Sequence, residues 1–191
     1  MWDEVVGIIS KAVYWLLVPA ALLRFYMQWT RVPFRNPVGQ FICVLTDWLV
    51  LPLRRLVSGR FQLDWPSFIA AAVFELGLAL VFDLLTGRIS SYTNSTGLGR
   101  WLLLGGFGLA TTALTLMLWL TITCAVMSWF RLDSPVTGAL YAICAPWLKP
   151  IRRRLPLAGG FDLSPLLLLV LLQIALVILS RLQFYALAAL R

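Results

Sequence analysis

Two long stretches without a charged side chain constrain this chain more than any other feature. Residues 101–130 and 163–180 contain no Asp, Glu, Lys or Arg. A helix needs roughly 20 apolar residues to cross the hydrocarbon core of a bilayer. We therefore predict transmembrane helices here and in two further charge-poor segments. The four predicted spans are about 5–29, 66–86, 101–129 and 165–187.

The first thirty residues are apolar but do not have the pattern of a signal peptide. Signal peptides begin with positive charge and end at a small-residue cleavage site. This chain begins Met-Trp-Asp-Glu, and its first apolar segment ends in bulky side chains and Arg24. We expect a retained span.

The formal net charge of +8 has two explanations. A basic soluble protein suggests a nucleic-acid partner, but basic loops on the cytoplasmic side of a membrane protein explain this charge better. Lys and Arg number five in 30–65, five in 130–164 and two in 87–100. We predict that 30–65 and 130–164 are cytoplasmic, that both termini lie outside, and that anionic headgroups rather than nucleic acid are the partner.

An internal repeat organises the chain. Residues 36–64 align with 134–162 at a constant offset and without a gap. The identities fall at Pro37/Pro135, Val38/Val136, Pro52/Pro150, Arg54/Arg152, Arg55/Arg153 and Asp64/Asp162. We predict an all-α integral membrane protein of two tandem parallel repeats, 1–95 and 96–191. Each repeat would contain a transmembrane helix, a short interfacial or re-entrant helix and a second transmembrane helix.

The start and end of each short helix follow from local chemistry. Asn36 and Ser134 precede prolines, the pattern of an N-cap followed by Pro at the first helical position. Pro52 and Pro150 are expected to end the helices, since Pro inside a helix removes a hydrogen bond. Helices over 37–50 and 135–148, ~21 Å long at 1.5 Å per residue, are too short to span.

The next spans have start signals of the same kind. Asp64 is the expected cap of the second span, and Ser164 with Pro165 begins the last.

The duplicated Pro-x-Arg-Arg…Asp motif has three interpretations. Its arginines can anchor the fold at anionic headgroups, or pair with the following Asp as a structural clasp, or bind a phosphate or a partner. The first two are compatible. The motif residues are Pro52, Arg54, Arg55 and Asp64, then Pro150, Arg152, Arg153 and Asp162, with Ser164 and Pro165 following.

Ionisable residues inside the predicted spans are a second candidate site. Glu75 lies in the middle of the second span, where a carboxylate is costly and often functional. Arg24 could reach part of the way towards it, and Lys11 and Asp83 fall at a similar depth and could pair. Structural pairing is the simpler interpretation, and ion or proton coupling is the alternative.

Catalytic and metal chemistry find little support in the composition. The chain has no His, which removes metal sites that need imidazole and most Ser–His or Cys–His pairs. Cys43, Cys124 and Cys144 lie in apolar runs and are expected to be free thiols. We expect no enzyme activity and no cofactor.

The repeated segments resemble the YggT family, also called YlmG-like. The resemblance rests on "PLRR" with its trailing Asp and on "PIRRRLP" followed by "GGFDLSP", each after a Trp-ended span and an Asn/Ser-Pro turn. Arg24, which precedes Trp29, stands where the family pattern has an Arg. In the second copy Cys124 takes this position. The resemblance implies a bacterial inner-membrane protein without enzyme activity. It also implies links to osmotic and potassium homeostasis, to cell division and to assembly of membrane complexes.

Two function classes remain. One is a scaffold or assembly factor whose basic loops and short helices dock a membrane-protein partner. The other is an ion (potassium) or osmolyte transporter, or a subunit of one, for which a homo-oligomer would supply the missing spans.

Overall fold

The residues that the structure describes form six α-helices. The computed structural model describes residues 2–56, 64–85, 95–130, 134–153 and 163–189, and all regular structure within these ranges is helical. The helices are α1 (Trp2–Trp29), α2 (Pro37–Leu56), α3 (Trp65–Leu85), α4 (Ser95–Phe130), α5 (Pro135–Arg152) and α6 (Ser164–Ala188).

Three of the described helices are long and apolar enough to cross a membrane. Their qualifying segments are Gly7–Trp29, Leu98–Ser128 and Ser164–Ala188. The fourth predicted span corresponds to α3, which contributes a shorter apolar segment, Trp65–Val81. A membrane protein is therefore supported, while four spans remain a prediction.

The turn between α1 and α2 is built by a C-cap followed by an N-cap. Arg31 adopts a left-handed backbone with φ of 57°, and the Val32 amide donates to the Met27 carbonyl at 2.9 Å. This pattern is a Schellman motif, in which a residue just beyond the helix turns the chain sharply. Asn36 Oδ1 then accepts from the Gly39 amide at 2.7 Å, which is the expected cap of α2.

The short helices are longer than predicted. Pro52 and Pro150 lie inside α2 and α5, which continue to Leu56 and Arg152. Each proline sits close to its helix end, where its fixed φ suits a helix and its missing N–H removes one bond. Neither proline ends its helix, so the prediction was wrong there.

The observed lengths of α2 and α5 do not exclude that these helices cross a membrane. At 20 residues α2 is about 30 Å long. What sets α2 and α5 apart from the candidate spans is their composition, since neither is apolar enough to qualify.

The caps of the second half agree in part with expectation. Ser134 Oγ accepts from the Val136 amide at 3.2 Å and caps α5. Helix α6 begins at Ser164, with Leu163 as its N-cap and no side-chain cap bond. Leu163 is already in the helical region, so the helix starts one residue earlier than predicted. Pro165 still falls in the first turn, where an amide is dispensable.

Two helix pairs dominate the packing. Helix α1 packs mainly on α3, and α4 mainly on α6, while α2 lies against α1 and α3 and α5 lies against α4 and α6. The halves meet through contacts of α3 and α1 with α4 and of α2 with α5.

Close approach of α3 and α4 depends on two glycines. A side chain at Gly105 would collide with Leu76, and one at Gly108 would collide with Glu75. Gly106 and Ala110 have the small-xxx-small spacing that permits close helix contact, but Gly106 faces open space. The contact therefore uses a different face of α4.

Candidate functional site

A buried ionic cluster joins the first three helices. It comprises Arg24 from α1, Thr46, Asp47 and Arg54 from α2, and Asp64 and Ser67 at the start of α3. Arg24 is 4% exposed and Asp64 3% exposed. Charges so far from water require close partners of opposite sign.

Arg24 provides the links between α1 and α2. Its Nη1 donates to Thr46 Oγ1 and to Asp47 Oδ1, both at 2.7 Å. Its Nε lies 3.5 Å from Asp64 Oδ2, an ion-pair distance without a hydrogen bond. The Thr46 hydroxyl in turn donates to the Ile42 carbonyl at 2.7 Å. Its proton is therefore used by Ile42, and its oxygen is free to accept from Arg24.

Asp64 joins the end of α2 to the start of α3. Arg54 Nη2 donates to Asp64 Oδ2 at 3.0 Å, and Ser67 Oγ donates to the same oxygen at 2.6 Å. The amide of Ser67 also donates to the Asp64 backbone carbonyl at 2.9 Å. The positive charges of the two arginines equal the negative charges of the two aspartates, so the cluster as a whole has no net charge.

The four residues of the first motif copy fall into two groups: two belong to the ionic cluster and two lie outside it. Arg54 and Asp64 are in contact, whereas Arg55 is exposed on the outer side of α2 and Pro52 is exposed within it. Sequence reasoning missed Asp47 and Thr46. The available signal was an Asp in an otherwise apolar helix that directly follows a span carrying Arg24.

The second copy is only partly described. Asp162 lies outside the described residues. Arg152 and Arg153 are exposed at the end of α5, and the Arg153 amide donates to the Lys149 carbonyl at 3.2 Å. Ser164 and Pro165 are buried at the start of α6.

Cys124 stands at the position of Arg24 in the second half. Its sulfur lies 2.7 Å from that of Cys144 on α5. Both are free thiols. The second half therefore has no buried Arg at this point.

Glu75 belongs to a separate polar chain across three helices. Tyr14 on α1 donates its hydroxyl to Glu75 Oε1 at 3.2 Å and lies 2.7 Å from Thr112 Oγ1 on α4. Because the Tyr14 hydroxyl donates its proton to Glu75, the Thr112 hydroxyl donates to Tyr14. Both hydroxyl protons are therefore directed towards the carboxylate. Glu75 Oε2 is buried and has no hydrogen-bond partner among the described residues.

Arg24, the predicted partner of Glu75, and the predicted Lys11–Asp83 pair are placed differently by the structure. Arg24 is held by Asp47 and Asp64, because the turn after α1 brings α2 against it. Lys11 is exposed on α1. Asp83 is in α3, and its side chain lies outside the described part of the structure.

A third polar contact joins the two halves. Tyr26 on α1 donates to the Ile143 carbonyl of α5 at 2.8 Å, and Trp147 Nε1 donates to the Tyr26 hydroxyl at 2.6 Å. The two rings are nearly parallel, with centroids 6.3 Å apart.

The outer side of α2 carries an exposed apolar stripe. It consists of Phe41, Val44, Trp48 and Leu51, whose spacing places them on one helix face. Arg54 and Arg55 follow the stripe in the last turn of α2. The side chain of Asp47, which faces Arg24, is still 41% exposed beside the stripe.

Comparison with known proteins gives a consistent family assignment. The family model described as CCB3/YggT matches residues 4–85 and 103–183. The chain is 34% identical over 155 residues to the Escherichia coli K12 protein YggT, which covers 80% of this chain and 77% of the relative. A Vibrio alginolyticus protein encoded in the proC 3′ region is 31% identical over 161 residues, covering 84% and 85%. No solved structure matches.

Proposed function

Because the chain belongs to the CCB3/YggT family, we propose that it is a non-enzymatic scaffold or assembly factor for complexes of the bacterial inner membrane. In this proposal two parallel repeats of two spans each place 30–65 and 130–164 in the cytoplasm. Links to osmotic or ion homeostasis and to division would then be consequences of the complexes it organises.

The exposed stripe on α2 is the observation that carries the proposal. Val44 is 78% exposed on a helix that is fixed to α1 by the Arg24–Asp47 contact and to α3 by the Arg54–Asp64 contact. A helix held in this way presents its apolar residues without reordering. Binding then costs less conformational entropy than binding by a mobile segment.

The surroundings of the stripe suit a protein partner better than hydrocarbon. Asp47 carries a partly exposed carboxylate beside Val44 and Trp48. A carboxylate facing lipid tails is costly, whereas a partner can donate a hydrogen bond to it. Arg54 and Arg55 fit the headgroup level at the end of the same helix. We therefore assign the stripe to a helix of another membrane protein.

A matched pair of tryptophans tests this assignment. Trp48 on the stripe is 59% exposed, and Trp119 on α4 is 60% exposed. The protein is purified in mild detergent as wild type, Trp48→Ala and Trp119→Ala, and co-purifying membrane proteins are quantified. The proposal predicts a stoichiometric partner that Trp48→Ala loses and Trp119→Ala keeps, while both variants still elute as folded protein in size-exclusion chromatography. A pure homo-oligomer, or equal retention by both variants, would overturn it.

Ion transport is the second candidate, and Glu75 favours it. Inside an apolar helix, a carboxylate with one oxygen that lacks a partner among the described residues is a feature that scaffolding does not require. Potassium flux into proteoliposomes containing the purified protein separates the two functions. Flux that Glu75→Gln abolishes supports transport. Absence of flux in both proteins supports the scaffold.

A further inference from the structure

Cys124 and Cys144 face each other in the interior of the second half. Their sulfurs are 2.7 Å apart, and the residues are 2% and 4% exposed. A covalent disulfide has an S–S distance of about 2.05 Å, so bond formation needs a movement of about 0.7 Å. Side-chain rotation can supply a movement of this size.

Each cysteine also contacts the backbone of the other helix. Cys124 Sγ on α4 donates to the Leu140 carbonyl of α5 at 3.4 Å. Cys144 Sγ on α5 lies 3.6 Å from the Leu120 carbonyl of α4. These reciprocal contacts hold both side chains in the space between the two helices.

The two cysteines replace a polar contact of the first half. Cys124 occupies the position of Arg24, and Cys144 aligns with Thr46 in the gap-free repeat alignment. Arg24 and Thr46 join α1 to α2 by a 2.7 Å hydrogen bond. The corresponding junction of the second half therefore depends on two thiols, whose bonding changes with redox state.

A small cavity borders this pair. Its walls include Cys144, Tyr26, Met117, Trp147 and Leu168, which makes it almost entirely apolar. A small neutral molecule can enter such a space, whereas an ion cannot do so without losing its hydration.

We propose that Cys124 and Cys144 form a modification site, in which a small hydroperoxide oxidises the thiol pair to a disulfide that joins α4 to α5. This inference goes beyond the scaffold function and does not depend on it.

The chemistry balances in two steps. One thiol of the pair attacks hydrogen peroxide; an S–O bond forms, the O–O bond breaks, and one water leaves. The second thiol then attacks the sulfenic acid; the S–S bond forms, the S–O bond breaks, and a second water leaves. Two electrons and two protons pass from the thiols to the peroxide. A dithiol reductant reverses the change.

Cys43 provides the internal control. It lies on α2 in the first half and is a free thiol. Among the described residues it makes no sulfur contact with Cys124 or Cys144, which contact each other, so it lacks a partner for a disulfide within the chain.

The test counts free thiols in the full-length protein. Native membranes are treated with hydrogen peroxide, quenched and denatured, and free thiols are tagged with a maleimide polymer that adds visible mass. The wild type should fall from three adducts to one and recover with dithiothreitol. Cys43→Ser should fall from two to none, and Cys124→Ser and Cys144→Ser should each keep two.

Peptide mass spectrometry without reduction keeps the test decisive if a variant fails to fold. The oxidised wild type should yield one linked peptide pair containing Cys124 and Cys144. Retention of three adducts, or loss that dithiothreitol does not reverse, would overturn the proposal. The same loss in Cys144→Ser would also overturn it.

Discussion

Arg54 and Asp64 are ten residues apart in the chain and in direct contact in the fold, with Nη2 3.0 Å from Oδ2. The contact is asymmetric. The side chain of Asp64 is 2% exposed and that of Arg54 is 45% exposed. The buried carboxylate is thus the member that depends on its partners, since it also lies beside Arg24.

The clasp predicts different effects for two neighbouring arginines. Arg54→Gln should lower the free energy of unfolding in detergent by about 1 kcal/mol, because a half-exposed ion pair contributes little. Arg55→Gln, on the exposed side of the same turn, should leave it unchanged. Thermal melting followed by size-exclusion chromatography measures both. Equal effects would show that the motif acts only through net charge.

Removing the buried member should have a larger effect. Asp64→Asn leaves Arg24 buried beside a neutral side chain, and loss of one partner of a buried pair costs ~3–5 kcal/mol. We expect a low yield of folded protein, with Asp47→Asn milder because Asp47 is partly exposed. If Asp64→Asn melts like the wild type, the cluster is not structural, and a ligand-binding role for the motif would follow.

The Glu75 chain predicts a stability effect that does not require transport. Tyr14→Phe removes the donor to Glu75 Oε1 and leaves the Thr112 hydroxyl without that partner. Leaving a buried polar group unpaired costs about 1–3 kcal/mol. Tyr185→Phe on the exposed side of α6 is the control. The contrary result is a Tyr14→Phe variant as stable as this control.

Topology is tested by reporter fusions. An enzyme active only in the cytoplasm should work when fused at Gly59 and fail when fused at Gly97 or at the C-terminus. The reason is the larger number of basic residues in 30–65 and 130–164. Activity at Gly97 with silence at Gly59 would invert the arrangement.

Local features were the most predictable from sequence. The caps at Asn36 and Ser134 depend on one side chain and the amides two or three residues later. Arg54 and Asp64, which are in contact, are only ten residues apart in the sequence. Such contacts are decided within about ten residues, so the sequence pattern contains them.

Contacts between distant helices were not predictable in this way. The partner of Glu75 is Tyr14, 61 residues earlier, and Arg24 bonds to Asp47 rather than to Glu75. Depth along each span placed Arg24 and Glu75 within partial reach, but depth does not specify which faces of two helices meet. Pro52 shows a further limit, since a proline near a helix end does not decide where the helix stops.

Site-specific photo-crosslinking in growing cells tests the scaffold function most directly. A photoreactive amino acid is placed at Val44 on the α2 stripe and, as control, at Val177 on the exposed side of α6. A scaffold function predicts a discrete adduct with a different membrane protein from position 44 and none from position 177. Adducts from both positions, only self-adducts from position 44, or none there would contradict it.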